Sequence, residues 1–123
     1  DQQLILLTVP GREAEIESIF GYLADEGVAK TPPKPSIAMS AAYMLGVDLV
    51  FTPDTAVAHI GAALNVPMIA VYRRSDSEFE AWRPASDSVK VLFNNQVAST
   101  YDRVAADDFS RDQLKLAVAA ILD

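Results

Sequence analysis

The chain alternates short apolar runs with longer segments in which apolar residues recur every three or four positions. Compact apolar runs occupy residues 4–9, 28–30, 48–52, 67–72 and 89–93. Runs of this length, bounded by Pro, Gly or Asn, predict β-strands. The runs at 4–9 and 67–72 contain so few polar residues that we expect both faces of those strands to be buried, as in a parallel sheet.

The first segment with helical spacing follows the strand at 4–9. Glu13 and Glu15 fall in its first turn, where a carboxylate suits the helix dipole, and Gly27 is a suitable terminator. The apolar residues are spaced i, i+3, i+4 and i+7, which predicts one stripe packed against a sheet. They are Ile16, Ile19, Phe20 and Leu23.

Two further helices surround the strand at 48–52. Ser36 is the expected cap of a helix over residues 37–45, and Asp54 is the expected N-cap of a helix over 55–65. The side chains expected to face inward are Ile37, Ala41, Met44 and Leu45 in the first helix, and Val57, Ile60 and Leu64 in the second. Small residues in the second helix allow it to lie close to a sheet.

The remaining segments complete an α/β pattern. Residues 110–122 predict an amphipathic terminal helix capped by Ser110, and one helical turn is expected near 76–82. The element order predicts an α/β fold: a doubly wound, mostly parallel sheet with helices on both faces. Right-handed crossovers favour the spatial strand order 2-1-3-4-5.

Composition excludes several classes of protein. With 123 residues the chain is expected to be one domain, and a net charge of −7 without a basic stripe argues against a nucleic-acid partner. No apolar run approaches the roughly 20 residues of a membrane span. The absence of cysteine excludes disulfides and thiolate metal sites. The chain enters a strand-like run almost at Asp1 without a signal-peptide pattern, so we expect a piece of a longer protein.

The segment 51–72, FTPDTAVAHIGAALNVPMIAVY, places Asp54, Thr55 and the only histidine on the turn between two predicted strands. Ligands of doubly wound sheets bind beyond the carboxyl ends of the strands, which is where this turn is expected. Lysines and arginines predicted at the same edge supply local positive charge in an acidic chain. They are Lys30, Lys34, Arg73 and Arg74.

The start of the predicted helix suits an anion. Its amide groups, at Thr55, Ala56 and Val57, carry a partial positive charge that attracts phosphate. Thr55 adds a hydroxyl donor, Ala56 leaves the backbone accessible, and His59 follows on the same face. A structural interpretation competes, because an Asp-Thr pair before a helix is commonly a cap that contributes about 1 kcal/mol. A lone histidine on a helix is also commonly a satisfied, partly buried side chain.

The segment TPDTAVAHIGAALNVPMIAVY resembles the donor-binding segment of glycosyltransferase family 9, the lipopolysaccharide heptosyltransferases and their relatives. That family pattern has an Asp, a Thr or Ser, a Gly, two residues and a His, then a small-residue helix, Val-Pro and a strand. The flanking TVPGREAE, PPKPSIAMSAAYML and VDLVF fit as well, so the resemblance spans residues 4–93. The matching residues are Asp54, Thr55, His59, Ala62, Ala63, Val66 and Pro67.

The resemblance implies a Rossmann-like half of a GT-B glycosyltransferase, the C-terminal half that binds the nucleotide-sugar donor. It implies that the donor phosphates lie at Asp54, Thr55, Ala56, Val57 and His59. It also implies that the nucleoside meets Glu13 or Glu15 and Lys34. Two alternatives stay open. Glu13 and Glu15 can be solvent-exposed residues that favour the helix dipole, and Lys34 can be a solvated loop residue.

The chain departs from the family pattern at two positions near this site. Ala56 replaces a glycine, which narrows backbone access slightly. Arg73 and Arg74 stand where a Gly-Pro turn is usual, and they can grip phosphates, block the pocket, or pair with Glu78 and Glu80. An earlier strand with a donor-contacting lysine, and the N-terminal half with its catalytic acid, have no counterpart in these 123 residues.

The resemblance implies transfer of a sugar, a heptose from a nucleoside-diphosphate donor, in lipopolysaccharide core biosynthesis. The implied location is the cytoplasm, at the inner face of the inner membrane. No cofactor or metal is expected, and the implied partners are the donor, the N-terminal domain of the same protein and, through that domain, a lipid-linked acceptor. We expect no turnover from this chain alone. The rival is a degenerate Rossmann-like module that binds a nucleotide or a protein without chemistry, which the Arg73-Arg74 departure favours.

Overall fold

A computed structural model of the chain describes residues 3–8, 10–32, 36–74, 79, 81, 83–97 and 108–123. The elements are, in chain order, β1 (Ile5–Leu6), α1 (Glu13–Leu23), β2 (Ala29–Lys30), α2 (Ile37–Leu45), β3 (Val50–Pro53), α3 (Ala56–Ala63), β4 (Met68–Arg74), β5 (Val89–Val97) and α4 (Arg111–Leu122). Every strand pair is parallel. The α/β class is therefore confirmed.

The strands form two sheets, where the sequence predicted one. β1 pairs with β2, and β3, β4 and β5 follow each other in a three-stranded sheet. The neighbour relations 2-1 and 3-4-5 are confirmed, but the predicted ladder between β1 and β3 is absent from the part of the chain that the structure describes. The chain divides into two compact units, residues 1–43 and 44–123.

In the first unit, β1 is shorter and more exposed than its apolar sequence predicts. Leu4 is 57% exposed and Ile5 is 42% exposed, so burial on both faces is wrong for this strand. The reason is that, within the described residues, β1 pairs only with β2, and a two-stranded sheet cannot enclose it. Thr8 and Thr31 extend the pair, since the Thr8 amide donates to the Thr31 hydroxyl over 2.9 Å and the Thr8 hydroxyl donates to the Thr31 carbonyl over 3.0 Å.

The helix α1 begins at Glu13 as predicted, but its apolar stripe is only half-buried. Ile19 remains 40% exposed, and no residue of the helix is fully buried. A short 3-10 turn, Ala24–Glu26, follows the helix, and Gly27 ends it with a φ of 70°. Only glycine adopts this left-handed conformation readily, so the predicted stop is confirmed.

The helix α2 starts where the sequence predicts. The Ser36 hydroxyl accepts a hydrogen bond from the Met39 amide over 3.1 Å. Of the four residues expected to face inward, Met44 is buried, whereas Ile37 is 75% exposed and Leu45 is 63% exposed. These two inward assignments are wrong because they occupy the first and last positions of a nine-residue helix, where the buried stripe ends.

The strand β4 is the centre of the second unit. Met68, Ala70 and Tyr72 face α3, while Ile69 and Val71 face α4. All five are buried, which confirms the predicted burial on both faces. Strands on both sides and helices on both faces leave no route for water to this strand.

The helix α3 packs on β4 through its smallest residues. Ala58, Gly61 and Ala62 are buried, whereas the expected stripe of Val57, Ile60 and Leu64 is only half-buried. That assignment is wrong because the face without large side chains approaches the sheet most closely. A Cβ placed on Gly61 would lie 1.9 Å from the terminal methyl of Met68.

Both ends of α3 are well defined. The N-cap is Thr55, not Asp54 as predicted, since Thr55 is the last residue with extended backbone angles. At the other end Asn65 has a φ of 55°, which confirms the predicted stop. The Val66 amide donates to the Gly61 carbonyl over 3.0 Å and the Asn65 amide to the Ala62 carbonyl over 3.1 Å, the two bonds of a Schellman motif.

The last two elements agree with the sequence in type. β5 runs to Val97, four residues beyond its predicted end. The Ser110 hydroxyl accepts from the Gln113 amide over 3.2 Å, which confirms the predicted cap of α4. The turn predicted near 76–82 falls largely outside the described residues, of which Phe79 and Ala81 are helical.

We expect the free energy of unfolding of Gly61→Ala to be about 1–3 kcal/mol lower than that of Gly21→Ala. Both changes gain about 1 kcal/mol of helix propensity. A Cβ at Gly21 meets nothing within 4 Å, whereas a Cβ at Gly61 forces the fully buried Met68 to move. Urea unfolding of the two variants measures the difference, and equal changes in stability would contradict the close packing.

Candidate functional site

The turn from β3 to α3 lies at the carboxyl edge of the three-stranded sheet. Pro53 is in register with Val71, and the Asp54 amide donates to the Val71 carbonyl over 2.9 Å. This bond fixes Asp54 beside the end of β4, so that two residues, Asp54 and Thr55, join the strand to the helix. The sequence prediction that this turn lies at the carboxyl edge is confirmed.

The front of α3 is open. Asp54, Thr55 and Ala56 are exposed, and Val57 is half-buried. The Ala58 amide donates to the Thr55 carbonyl over 3.0 Å, but the amides of Ala56 and Val57 have no acceptor within the described residues. Unpaired amides at a helix start attract an anion through their dipoles. The geometry is therefore compatible with the predicted phosphate site.

Thr55 does not cap the helix with its side chain. Its backbone is extended, with φ −143° and ψ 175°, but its hydroxyl makes no hydrogen bond to the first turn. The hydroxyl lies instead 3.1 Å from the hydroxyl of the buried Thr52. The capping interpretation of the Asp-Thr pair therefore does not describe the side chain of Thr55.

His59 lies one turn into α3, outside the face of small residues that packs on the sheet. Its side chain is exposed, as is Ala56 three residues earlier. Residues three apart share a helix face, so His59 projects along the same side as the helix front. His59 is exposed and not partly buried, as the structural interpretation expected. A role for His59 in binding a ligand stays a prediction.

The two arginines end β4 in different environments. The Arg74 side chain turns toward β5: its Nε donates to the Asn94 carbonyl over 3.1 Å, and its guanidinium carbon lies 5.9 Å from the ring centre of Phe93. Arg73 is half-buried. The suggested ion pairs with Glu78 and Glu80 involve residues outside the described part, and phosphate contacts by either arginine stay a prediction.

Tyr72, which the sequence analysis did not select, is buried near the carboxyl end of β4. It is 2% exposed, and its ring packs edge-to-face against Phe79 with 5.2 Å between centroids. Phe79 packs in the same manner against Phe93 over 4.9 Å. Burial and, to a smaller extent, the neighbouring carboxylate of Asp54 together raise the pKa of Tyr72 to about 12. The available signal was a tyrosine at the end of an otherwise aliphatic strand.

The residues predicted to bind the nucleoside are not tested by the structure. Glu13 and Glu15 lie in the first turn of α1, in the first unit, where Glu15 forms an ion pair with Arg12. Lys34 lies outside the described residues. Lys30, which was expected to add positive charge at the sheet edge, forms an ion pair with Glu17 and lies over the ring of Phe20 at 4.9 Å.

A cleft of about 310 Å³ lies against β5. No residue that the sequence assigned to the site lines it; its lining is Phe79, Arg83, Pro84, Ala85, Ser86, Asp87, Val89 and Val91. In the part of the chain that the structure describes, three or more metal-ligating side chains do not come together. Among the same residues, none of the helices has the length and apolar character needed to cross a membrane.

Tyr72 is expected to make stability fall as the pH rises from about 10 to about 12. Its pKa is higher in the folded protein than its ordinary value of 10.0, so the folded state favours the neutral phenol. Stability from this preference is complete below pH 10 and is lost through pH 12, because the unfolded chain ionises first. Urea unfolding across this interval should show a smaller loss for Tyr72→Phe than for the wild type.

The matched control is Tyr22→Phe, at a side chain that is 90% exposed. Asp54→Asn should lower the pKa of Tyr72, because it removes one of the two causes of the shift. Equal pH dependence of the wild type and Tyr72→Phe would show that the Tyr72 hydroxyl is not in the environment described.

Comparison with known proteins identifies the family. The model of glycosyltransferase family 9 (heptosyltransferase) matches residues 2–110, which include β3, α3 and β4. No curated protein and no solved structure matches the chain. The α/β architecture with parallel strands is consistent with a Rossmann-like half of a GT-B glycosyltransferase. Because the matched region extends over most of its length, the chain belongs to glycosyltransferase family 9 (heptosyltransferase).

Proposed function

We propose that this glycosyltransferase chain binds the nucleotide-sugar donor and that the donor diphosphate sits at the start of α3, on Thr55, Ala56 and Val57. The observation that carries the proposal is the open helix front. Thr55 and Ala56 are exposed, Val57 is half-buried, and the amides of Ala56 and Val57 lack acceptors within the described residues. The same segment lies inside the region that matches the family.

The proposed chemistry is stabilisation of the leaving group. When the bond between the sugar carbon and the diphosphate oxygen breaks, the departing nucleoside diphosphate gains negative charge. Amides fixed in advance by α3 meet this charge without reorganising, which is the most effective form of electrostatic catalysis. His59 and Arg73 are proposed to add donors at the same edge. No metal is required by this scheme.

Asp54 has a different proposed role from the amides that follow it. Its amide donates to the Val71 carbonyl, and its carboxylate adds to the effect of burial in raising the pKa of Tyr72. A carboxylate in direct contact with a diphosphate would repel it. We therefore assign Asp54 to fixing the turn and the amides to holding the phosphates.

The finer assignment follows the family description. We propose a heptose as the transferred sugar and lipopolysaccharide core as the pathway, with the reaction at the cytoplasmic face of the inner membrane. The base that activates the acceptor hydroxyl and the binding site for a lipid-linked acceptor are assigned to an N-terminal domain of the same protein. The nucleoside is proposed to meet Glu13 or Glu15 and Lys34.

Ala56→Asp is expected to weaken binding of a nucleoside diphosphate by tenfold or more. A carboxylate at the helix front repels the phosphates, and tenfold corresponds to only about 1.4 kcal/mol. The same carboxylate suits the helix dipole, so thermal stability should be kept or should rise. Calorimetry with ADP, UDP and GDP measures the affinity, with one of the three expected to bind best.

The control is Ala38→Asp, which places the same charge in the first turn of α2 at an exposed position. Wild-type affinity in Ala38→Asp with loss in Ala56→Asp supports the donor site. Absence of binding to all three nucleotides, or equal losses in both variants, contradicts it.

The rival function is a module that binds a nucleotide without chemistry. It would be favoured if the complete protein bound a nucleotide-heptose but released no nucleoside diphosphate from it. The observation that favours this rival is the hydrogen bond from Arg74 to β5, which engages Arg74 within the protein.

A further inference from the structure

Thr52 is a buried polar residue at the end of β3, directly behind the helix front. It is 5% exposed and stands in register with Ala70 of the central strand. Its hydroxyl lies 3.0 Å from the Pro53 carbonyl oxygen, to which it donates, and 3.1 Å from the hydroxyl oxygen of Thr55. It is therefore the buried partner of the Thr55 hydroxyl, which belongs to the proposed phosphate site.

The number of hydroxyl protons determines which of the two threonines donates the hydrogen bond between them. A hydroxyl has one proton to donate. Since Thr52 donates to Pro53, the bond between the two threonines must use the proton of Thr55, and Thr52 accepts it. With both hydrogen bonds formed, the proton of Thr55 is therefore directed to the Thr52 hydroxyl oxygen.

This bond competes with the usual behaviour of an N-cap threonine. Such a side chain accepts a hydrogen bond from the second or third amide of its helix, here Val57 or Ala58. Thr55 occupies the N-cap position but makes no such bond, and the Val57 amide is left without an acceptor in the described part of the chain. A self-capped Thr55 would occupy the amide that the diphosphate is proposed to use.

We propose that Thr52 is a positioning residue that prevents Thr55 from capping α3 and so keeps the helix front available to the donor diphosphate. This inference rests on the proposed function for its ligand, although the effect on the Val57 amide does not. When phosphate binds, the Thr52 hydroxyl turns from Pro53 to donate to Thr55. Thr55 then donates its own proton to a phosphate oxygen. One intramolecular hydrogen bond is exchanged for one to the ligand.

Thr52→Val tests the inference because valine has nearly the shape of threonine but offers no hydroxyl. Thr55 should then turn to the helix and cap it. We expect hydrogen exchange of the Val57 amide to slow, thermal stability to stay level or rise, and affinity for the best-binding of ADP, UDP and GDP to fall about fivefold, the equivalent of one cap. Thr52→Ser restores the hydroxyl and should keep wild-type affinity.

The matched control is Thr8→Val, which removes another buried hydroxyl, one that bonds to the Thr31 carbonyl in the first unit. It should lower stability without changing affinity. Thr52→Val that binds as the wild type does, or that loses affinity and stability together without slower exchange at Val57, overturns the inference. If the wild type binds none of the three nucleotides, the proposed function fails. Exchange at Val57, measured without ligand, still decides whether Thr52 holds Thr55 away from the helix.

Discussion

The close approach of α3 to β4 is the constraint on which the second unit depends. Gly61 leaves so little room that the terminal methyl of Met68 occupies the space of an added Cβ, and Ala58 and Ala62 bury beside it. This packing is accompanied by a fixed chain direction at the start and at the end of α3. Asn65 turns it into β4 through a left-handed residue, and the Asp54 amide fixes the entry by bonding to Val71. The helix front is thereby held at the carboxyl end of the central strand.

That placement lets a short helix present two amides, those of Ala56 and Val57, that have no acceptor in the described part of the chain, and the Thr55 hydroxyl lies next to them. The eight residues of α3 are too few to be stable alone, so tertiary packing supplies the stability that a self-capped helix would gain from its own side chain. The front can then remain uncapped, at a cost of about 1 kcal/mol to the unliganded protein. In the proposed function, the donor diphosphate recovers this energy on binding. The turn lies within the region that matches the family.

Beneath the turn, the carboxyl edge is lined by aromatic rings. Tyr72, Phe79 and Phe93 pack edge-to-face, and Arg74 lies over Phe93 while donating to the backbone of β5. The arginine pair that departs from the family pattern therefore has at least one member engaged in packing. The carboxylate of Asp54, next to the proposed phosphate site, adds to the effect of burial in raising the pKa of Tyr72.

The sequence by itself determined the element types, the parallel α/β class, the caps at Ser36 and Ser110, and the turn that joins β3 to α3. These features follow from local periodicity and from residues whose chemistry acts within a few positions. Only the tertiary structure decided that Ala58, Gly61 and Ala62 face the sheet, because burial depends on how closely two elements approach and not on which residues are most apolar. Only the tertiary structure placed Thr52 behind Thr55 and Tyr72 beside Asp54. It also separated the strands into two sheets, because pairing between distant strands is not encoded in the pattern of any single strand.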